Sequence, residues 1–210
     1  MDKQDLLIYL ASILCCLGYK VTIFDHSHKQ LLQYCIPESE GDFDKVTYRG
    51  VDYQFSKPMK EENYDLYNII LIDLGEWTAL ENVIGVDDIY LVTDSTRYNI
   101  EKYIDLLLDL RKRVNVIFKN MCNYKINKNY LIEAMKRSKV LLGKTYEVRL
   151  DLFDYEYEIR MQYEPYQEFK NLSKDYEILL CLLVIEITGA DVQRIKKAFN
   201  QARKGVIHCK

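Results

Sequence analysis

The chain has 210 residues, of which 49% are hydrophobic and 29% charged, and its formal net charge is −3. This length allows a substantial core but is short for two independent domains, so residues 1–210 are predicted to form a single domain. The slight acidic excess argues against a broad nucleic-acid footprint, although it is compatible with a local basic patch.

Neither the cysteines nor the apolar segments point to a secreted or membrane-spanning protein. The six cysteines form no CxxC pair, which favours reduced thiols in a reducing compartment. The apolar stretch 6–17 follows a segment without net positive charge, precedes no small-residue cleavage site and is too short to span a bilayer. We therefore expect a cytoplasmic protein.

The predicted elements alternate between helices and apolar strands. In chain order they begin with a buried helix at 6–17, a strand at 20–25, a helix at 31–36, a hairpin at 46–55, and strands at 68–73 and 88–93. They continue with a helix from Ser95 and Thr96 to Arg113, a strand at 114–118, and helices at 128–137, 173–187 and 191–204. Residues 146–152 and 155–162 are compatible with an edge hairpin or with two extended segments. Apolar strands alternating with helices predict an α/β fold, with a mostly parallel sheet covered by helices on both faces.

Two of the strands end in an aspartate, Asp25 and Asp73. In open parallel sheets, ligands bind beyond the carboxyl ends of the strands, so both carboxylates are expected to face one crevice. A carboxylate in this position is able to hold Mg²⁺ or its water in a phosphate-handling enzyme. It is also able to cap the turn that follows the strand, and the strand ends alone leave both interpretations open.

The order of several segments resembles that of the ParA/MinD-type ATPases, members of the SIMIBI group of P-loop NTPases. The first of these segments comprises the helix 3–14, Leu17-Gly18 and the strand ending at Asp25. The second comprises Tyr64-Asp65 and the strand ending at Asp73. The stretches 88–94, 114–120 and 160–165 complete the set. The resemblance covers nearly the whole chain, and only the ordered set is specific. Within the superfamily, the TadZ/CpaE type of pilus-assembly proteins is the most similar branch, since those proteins also carry degraded phosphate loops.

The resemblance implies a three-layer α/β/α fold and, where a nucleotide is bound, ATP with Mg²⁺. It assigns nucleotide-site roles to six residues, namely Lys3 and Gln4 at the end of the phosphate loop, Asp25 and Asp73 at the switch positions that hold Mg²⁺, Gly75 in the second switch region, and Asn120 where the family contacts adenine.

The phosphate loop itself departs from the family. Met1-Asp2 stand where its glycines would end, Gln4 replaces the Ser/Thr whose hydroxyl binds Mg²⁺, and Ser27 stands where many members have a second aspartate. Such a loop needs glycines because successive backbone N–H groups must turn toward the phosphates. We therefore expect neither strong ATP binding nor hydrolysis, with Asp25 and Asp73 as remnants of a catalytic site.

The usual first strand of the family, which lies in the middle of its sheet, is also absent from this sequence. A missing central strand would leave unpaired backbone groups on two neighbours. The neighbouring strands could close up, another segment could fill the gap, or the natural chain could begin upstream, and the sequence leaves these three alternatives open.

Two further features have a functional and an ordinary interpretation. His26 and His28 beside Asp25 could ligate a metal, but no further ligand stands at a supporting spacing, so an ordinary polar turn is favoured. The C-terminal helix 191–204 is basic on one side and apolar on another, which could suit DNA or an anionic membrane. A surface helix docked by its apolar stripe is favoured, because that stripe is narrow and lacks a Trp or Leu anchor.

The sequence therefore predicts a non-catalytic ParA/MinD-like positioning or regulatory module. By the resemblance, it would act through a homodimer or a dimer with an active paralogue, in a bacterial partition, pilus or secretion system. One alternative is a nucleotide-dependent switch ATPase whose phosphate loop is missing from this sequence. Another is a DNA-binding partition factor that uses the basic C-terminal helix.

Overall fold

In the computed structural model, residues 3–37, 44–55, 61–75, 85–110, 112–122, 125–164 and 171–205 are described. The α-helices are α1 (Gln4–Cys16), α2 (Arg97–Leu110), α3 (Lys128–Arg137), α4 (Leu152–Arg160), α5 (Lys174–Thr188) and α6 (Val192–Arg203). The strands are β1 (Val21–Asp25), β2 (Lys45–Tyr48), β3 (Val51–Phe55), β4 (Ile69–Asp73), β5 (Tyr90–Thr93), β6 (Val114–Met121) and β7 (Leu142–Arg149). Short 3₁₀ helices cover Leu31–Cys35 and Glu61–Leu66.

The strands form two sheets. The first has the order β2-β3-β1-β4 and is parallel except for the β2–β3 hairpin, and the second has the order β5-β6-β7 and is parallel throughout. Parallel pairing requires crossover connections, and most of these carry helices here. The predicted α/β class with mostly parallel strands is confirmed.

The chain divides into two compact units, one around each sheet. The unit of the first sheet comprises Asp2–Thr78, Tyr155–Leu172 and Leu180–Lys210, and the unit of the second comprises Ala79–Asp154 and Ser173–Leu179. That the whole chain acts as a single domain stays a prediction.

The core of the first-sheet unit is built around β1 and α1. All five residues of β1 are buried, because the strand has a neighbour on each side and is covered on both faces. On α1, Ile13 and Leu14 are fully buried, and the helix packs against β1 and α6. Burying a side chain of this size stabilises the fold by about 1.5–3 kcal/mol. This packing fixes the start of α1 relative to the end of β1.

Within the described residues, β4 pairs only with β1, and β5 pairs only with β6. The described part also holds no strand ahead of α1.

One of the predicted segments is wrong. Residues 155–160 lie in helix α4, whereas residues 155–162 were predicted to be extended, either in an edge hairpin or as a separate segment. The helix begins because the Asp151 carboxylate accepts hydrogen bonds from the backbone N–H groups of Phe153 (2.9 Å) and Asp154 (3.3 Å). Residues 146–149 do form strand, but they pair in parallel with β6, so the predicted edge hairpin does not exist.

The other differences concern bounds and helix type. The predicted helix at 31–36 is a 3₁₀ helix, and its C-terminal neighbour Ile36 is extended, as expected for a residue before proline. Helix α2 ends at Leu110. At its start, the Asp94 carboxylate accepts hydrogen bonds from the Thr96 backbone N–H (2.8 Å) and hydroxyl (2.6 Å).

Candidate functional site at the strand ends

The carboxyl ends of β1 and β4 bring the two predicted aspartates together. The strands are adjacent and parallel, and their register places Asp25 directly beside Asp73. Each residue is only 1% exposed. Two carboxylates buried this closely repel each other unless a proton or a cation compensates one of the charges.

Lys3 supplies that cation from the start of α1. Its Nζ lies 2.9 Å from Asp73 Oδ1, and it also donates a hydrogen bond to the Gly75 carbonyl oxygen at 3.1 Å. The lysine side chain is 22% exposed, whereas the aspartate side chain is fully buried. The ammonium group is thus held by one acceptor at the end of β4 and one in the turn that follows it.

The turn after β4 is closely fitted to the turn after β1. The Gly75 N–H donates to Asp73 Oδ1 at 2.7 Å, and the His26 N–H donates to the Asp73 carbonyl oxygen at 2.8 Å. Gly75 has φ of +64°, and a Cβ built on it would come within 2.6 Å of Ser27 Cβ. Glycine is therefore required at position 75 for its backbone conformation and for the space that it leaves.

Asp25 is surrounded by hydrogen-bond donors from the segment after β1. Its Oδ1 accepts hydrogen bonds from the Ser27 backbone N–H (2.9 Å) and from the Ser27 hydroxyl, and its Oδ2 accepts from the Leu32 N–H (3.3 Å). Burial raises the pKa of Asp25 above its ordinary value, as does the negative charge of Asp73, although the hydrogen bonds from Ser27 and Leu32 act in the opposite direction. In this arrangement Asp25 holds the turn after β1, which was the ordinary interpretation of a strand-terminal aspartate.

The other two predicted nucleotide-site residues have different surroundings. Gln4 is 7% exposed, and its Oε1 accepts a hydrogen bond from the Lys3 backbone N–H at 3.2 Å. Asn120 lies on β6 in the second-sheet unit and has φ of +59° where the register with β7 shifts, as at a β-bulge. The structure thus brings Lys3, Asp25 and Asp73 together in one unit and describes Asn120 in the other.

The described residues do not fit a magnesium-bound triphosphate. Asp73 Oδ2 is buried without a hydrogen-bond partner in the described part of the chain, so it keeps an acceptor for a metal-bound water. On the phosphate side, among the described residues, the Lys3 ammonium is already held by Asp73 and Gly75, and Gln4 offers no hydroxyl to Mg²⁺.

The other predicted ligands do not gather into a metal site. His28 is exposed, while His26 is partly buried with its ring edge against Phe24, the ring centroids being 6.0 Å apart. Over the described ranges, the structure has no group of three or more His, Cys, Asp or Glu side chains able to hold a metal ion.

The C-terminal helix α6 docks by its apolar side. Ile195, Ala198, Phe199 and Ala202 are 0–5% exposed, and the helix packs on α1. Lys196 and Lys197 are exposed. The apolar stripe is therefore occupied within the fold, and binding to a membrane through that stripe would require α6 to leave α1.

A polar cluster on the first sheet has no counterpart among the predictions. The Asp52 carboxylate accepts hydrogen bonds from the Tyr67 hydroxyl (2.6 Å), Lys45 Nζ (2.9 Å) and the Thr47 hydroxyl (2.6 Å). Burial alone would raise the pKa of Asp52, but these hydrogen bonds lower it overall. Alternation within the hairpin does indicate a polar face, but Tyr67 joins from a separate segment, which only the tertiary structure reveals.

Comparisons with known proteins identify the fold. No protein-family model matches the chain, and no curated protein matches it by sequence. Among solved structures, it is similar to the MinD cell division protein of Aquifex aeolicus, with a TM-score of 0.55, 16% identity, and coverage of 96% of this chain and 90% of that chain. A ParA family ATPase from Chlorobium tepidum TLS has a TM-score of 0.55 at 11% identity, with 96% and 95% coverage.

A third similar structure is a protein of Borrelia burgdorferi B31 described as a plasmid partition protein and bound to AMPPNP, with a TM-score of 0.51, 16% identity, and coverage of 95% and 93%. None of the described helices is both long and apolar enough to cross a membrane. At these identities the likeness concerns the fold, and it confirms the resemblance noted in the sequence at that level. The chain has the P-loop NTPase-like fold of the ParA/MinD-type ATPases.

Proposed function

We propose that this chain is a non-catalytic ParA/MinD-like positioning or regulatory module that works without nucleotide. It acts through protein–protein association, as a homodimer or as a dimer with an active paralogue, in a bacterial partition, pilus or secretion system. The observation that carries the proposal is the pairing of the Lys3 ammonium with the Asp73 carboxylate and the Gly75 carbonyl.

This pairing supports a nucleotide-independent role for an electrostatic reason. In a phosphate site, a lysine is useful because its positive charge is available to the phosphates. Here the charge of Lys3 is balanced by Asp73, which is buried and cannot turn to water for solvation. A phosphate that approached Lys3 would have to compete with that carboxylate and would also be repelled by it.

The same contacts give the strand-end site a structural role. The hydrogen bonds from Lys3 and Gly75 tie the start of α1 to the turn after β4, and the Ser27 contacts tie the turn after β1 to Asp25. A switch protein needs a segment with two arrangements that its ligand can bias. In the proposed module, internal contacts hold these turns in one arrangement, so the surface that they present is constant.

Thermal unfolding with and without Mg-ATP tests the proposal. A ligand at a hundred times its Kd stabilises the folded state by about 2.7 kcal/mol, which is readily measured as a rise in Tm. We expect no rise for the full chain, and none in calorimetric titration with Mg-ATP. Saturable binding, or ATP turnover above a protein-free control, would overturn the proposal in favour of a switch ATPase.

The variant Asp73→Asn sharpens this test, because it removes the charge that holds Lys3. If the lysine were a phosphate ligand held back by Asp73, the variant would gain Mg-ATP affinity over the unaltered chain. We expect no gain, since the variant still has Gln4 where Mg²⁺ binding needs a hydroxyl. The variant Asp52→Asn is a suitable control. It removes another carboxylate of the same unit, and the hydrogen-bond partners of Asp52 are Lys45, Thr47 and Tyr67 rather than Lys3.

A further inference from the structure

The basic residues of this chain are concentrated in one segment. Residues 112–144 contain nine lysines and arginines and a single acid, Glu133, so the segment has a formal charge of +8. Because the whole chain carries −3, all other residues together carry −11. The segment spans β6, α3 and the start of β7, and it lies entirely within the second-sheet unit. A charge asymmetry of this size indicates a surface that attracts an anionic partner.

Most of these basic residues gather at one end of the second sheet, where β6 and β7 begin. The Val114 N–H donates to the Leu141 carbonyl oxygen at 3.0 Å, so the starts of the two strands are adjacent. The Lys144 N–H donates to Asn115 Oδ1 at 2.9 Å, and the turn after α3 leads into β7 at the same end. We call this surface the basic end, and its exposed basic residues are Lys112, Arg113, Lys136, Arg137, Lys139 and Lys144.

Three charges of the basic end have no ionic partner among the described residues. Lys136 Nζ lies 3.4 Å from Glu133 Oε1, so that lysine is compensated within α3. Arg113, Arg137 and Lys139, by contrast, form no ion pair with any described residue. An anionic partner would therefore form new charge pairs with these three side chains without displacing an acid of the described chain.

Lys139 holds a backbone conformation that usually belongs to glycine. It directly follows Ser138, the C-cap of α3, and has φ of +63°. Its N–H donates to the Lys136 carbonyl oxygen at 2.9 Å, and the Val140 N–H donates to the Met135 carbonyl oxygen at 3.3 Å. These two hydrogen bonds define a helix-ending motif in which glycine is the usual residue at this place. A lysine here is strained, and because strained residues cluster at functional sites, Lys139 marks the basic end independently of the charge count.

An exposed apolar side chain lies among the bases. Leu141 is 56% exposed and stands between Lys139 and Lys144 along the chain. A phosphate backbone offers an aliphatic side chain no apolar contact, since its partners are hydrogen-bond donors and positive charges. A protein segment that carries both carboxylates and an apolar residue would match Leu141 as well as the bases around it.

Acids border the basic end and limit its size. The Asn115 N–H donates to the Ile89 carbonyl oxygen at 2.9 Å, so the exposed Asp87 and Asp88 lie on the β5 side of the basic end. Asp105 is exposed on α2 of the same unit. A long polyanion such as a DNA duplex would extend toward these acids and be repelled by them, whereas a short acidic segment contacts the basic end alone.

We propose that the basic end is a docking surface for an acidic segment of another protein, in which Arg113, Arg137 and Lys139 meet carboxylates and Leu141 meets an apolar side chain. The inference goes beyond the proposed function, because it adds a partner whose binding does not depend on whether the chain binds nucleotide. A surface of this size belongs to the small, transient class of interfaces, and exposed charge pairs weaken with salt.

Fluorescence anisotropy with a labelled peptide of repeated Glu-Glu-Leu tests the inference on the full chain. We expect saturable binding that weakens as salt is added. The same peptide with Gln in place of Glu should not bind. The peptide with Gly in place of Leu should bind about fivefold or more weakly, because the apolar contact with Leu141 is lost.

Charge reversal locates the binding surface. The double variant Arg137→Glu and Lys139→Glu should weaken peptide binding by about tenfold or more, since each reversal replaces an attraction by a repulsion. The matched control is Lys196→Glu and Lys197→Glu, which makes the same change of net charge on exposed positions of α6 and should leave binding nearly unchanged. Unchanged circular dichroism and urea midpoints would show that both double variants are folded.

Lys139→Gly separates binding from stability. Glycine adopts the left-handed conformation without strain, so we expect the urea midpoint to rise while peptide binding weakens. A higher midpoint with unchanged binding would mean that Lys139 has no part in docking.

Four results would overturn the inference. Absence of peptide binding would exclude an acidic partner, and equal weakening by the α6 control would mean that binding follows net charge rather than the basic end. Equal binding of the Leu and Gly peptides would exclude the contact with Leu141. Tighter binding of a short DNA duplex than of the peptide, lost on reversal of Arg137 and Lys139, would assign the surface to nucleic acid. The proposed function is decided separately by the Mg-ATP titration.

Discussion

At the scale of single residues, the strand-end site is governed by buried charge. A fully buried Asp73 carboxylate is costly to leave unpaired, and the salt bridge with Lys3 offsets that cost. Removing one partner of a fully buried pair costs about 3–5 kcal/mol of unfolding free energy. Because the Lys3 side chain is 22% exposed, we expect a smaller cost for removing one partner of this pair. The pair therefore serves as much to fix the position of the turn as to stabilise the fold.

Gly75 provides the residue-scale prediction. We expect Gly75→Ala to be clearly more destabilising than Gly189→Ala, although both residues have φ near +65°. Both variants place a side chain in the left-handed region, at about 1–2 kcal/mol. At Gly75 the added Cβ would also meet Ser27 Cβ at 2.6 Å and Ser27 Cα at 2.9 Å, whereas at Gly189 nothing lies within 4 Å.

Overpacking of this kind adds about 1–3 kcal/mol, so urea unfolding should rank the variants in that order. Equal losses of unfolding free energy in the two variants would mean that Ser27 yields without cost and that the two turns are not closely fitted.

At the scale of elements, the helices are distinguished by what covers their apolar sides. The apolar stripe of α6 is buried on α1, and Arg194 adds a hydrogen bond to the Leu17 carbonyl oxygen at 3.1 Å, at the end of α1. On α4 the apolar side is exposed instead. The docked arrangement favoured for the C-terminal helix is thus the one observed, whereas the segment predicted to be extended is a helix with exposed apolar side chains.

The N-terminus of α6 allows a test of how firmly this helix is held. The Asp191 carboxylate caps it by accepting hydrogen bonds from the N–H groups of Gln193 and Arg194, both at 2.9 Å. We expect Asp191→Ala to lower the free energy of unfolding by about 1 kcal/mol, as measured by urea denaturation. Asp191→Asn keeps an acceptor and should cost only a small part of this. Similar losses for both would show that capping is not the cause.

At the scale of the whole molecule, ionisable groups link stability to pH with opposite signs. The pKa of Asp25 is raised by burial, and also by the charge of Asp73. At pH values above 3.8, the ordinary pKa of this carboxyl group, Asp25 binds more protons in the folded state than in the unfolded state. The stability that Asp25 contributes therefore falls as pH rises through its folded pKa. The pKa of Asp52 is lowered, so its contribution is present above 3.8 and is lost as pH falls through its folded pKa.

These signs predict how two variants differ from the unaltered chain across a pH series. We expect the advantage of the unaltered chain over Asp52→Asn to shrink as pH falls below 3.8. Relative to Asp25→Asn, the unaltered chain should instead gain stability as pH falls toward 3.8. Urea unfolding at each pH measures both slopes, and a constant offset from lost hydrogen bonds does not affect them. Parallel slopes for the two variants would contradict the assignment.

The sequence by itself determined most of the elements, because apolar periodicity and caps act locally. Strands β1, β4, β5 and β6 are each marked by an apolar run, and Gly18 follows the end of α1 where a helix-ending residue is expected. The ordered set of segments also indicated the ParA/MinD-like fold. Asp25 and Asp73 could be expected at one crevice, since parallel neighbouring strands end at the same edge of a sheet.

Only the tertiary structure decided what these residues contact. The partner of Lys3 is 70 residues away along the chain, and no local pattern encodes which charge it meets. The segment 155–160 alternates like a strand, but the Asp151 cap and the burial of Asp154 and Glu158 make it a helix. Which side of that helix is buried depends on what packs against it, and packing is a property of the folded chain rather than of any segment.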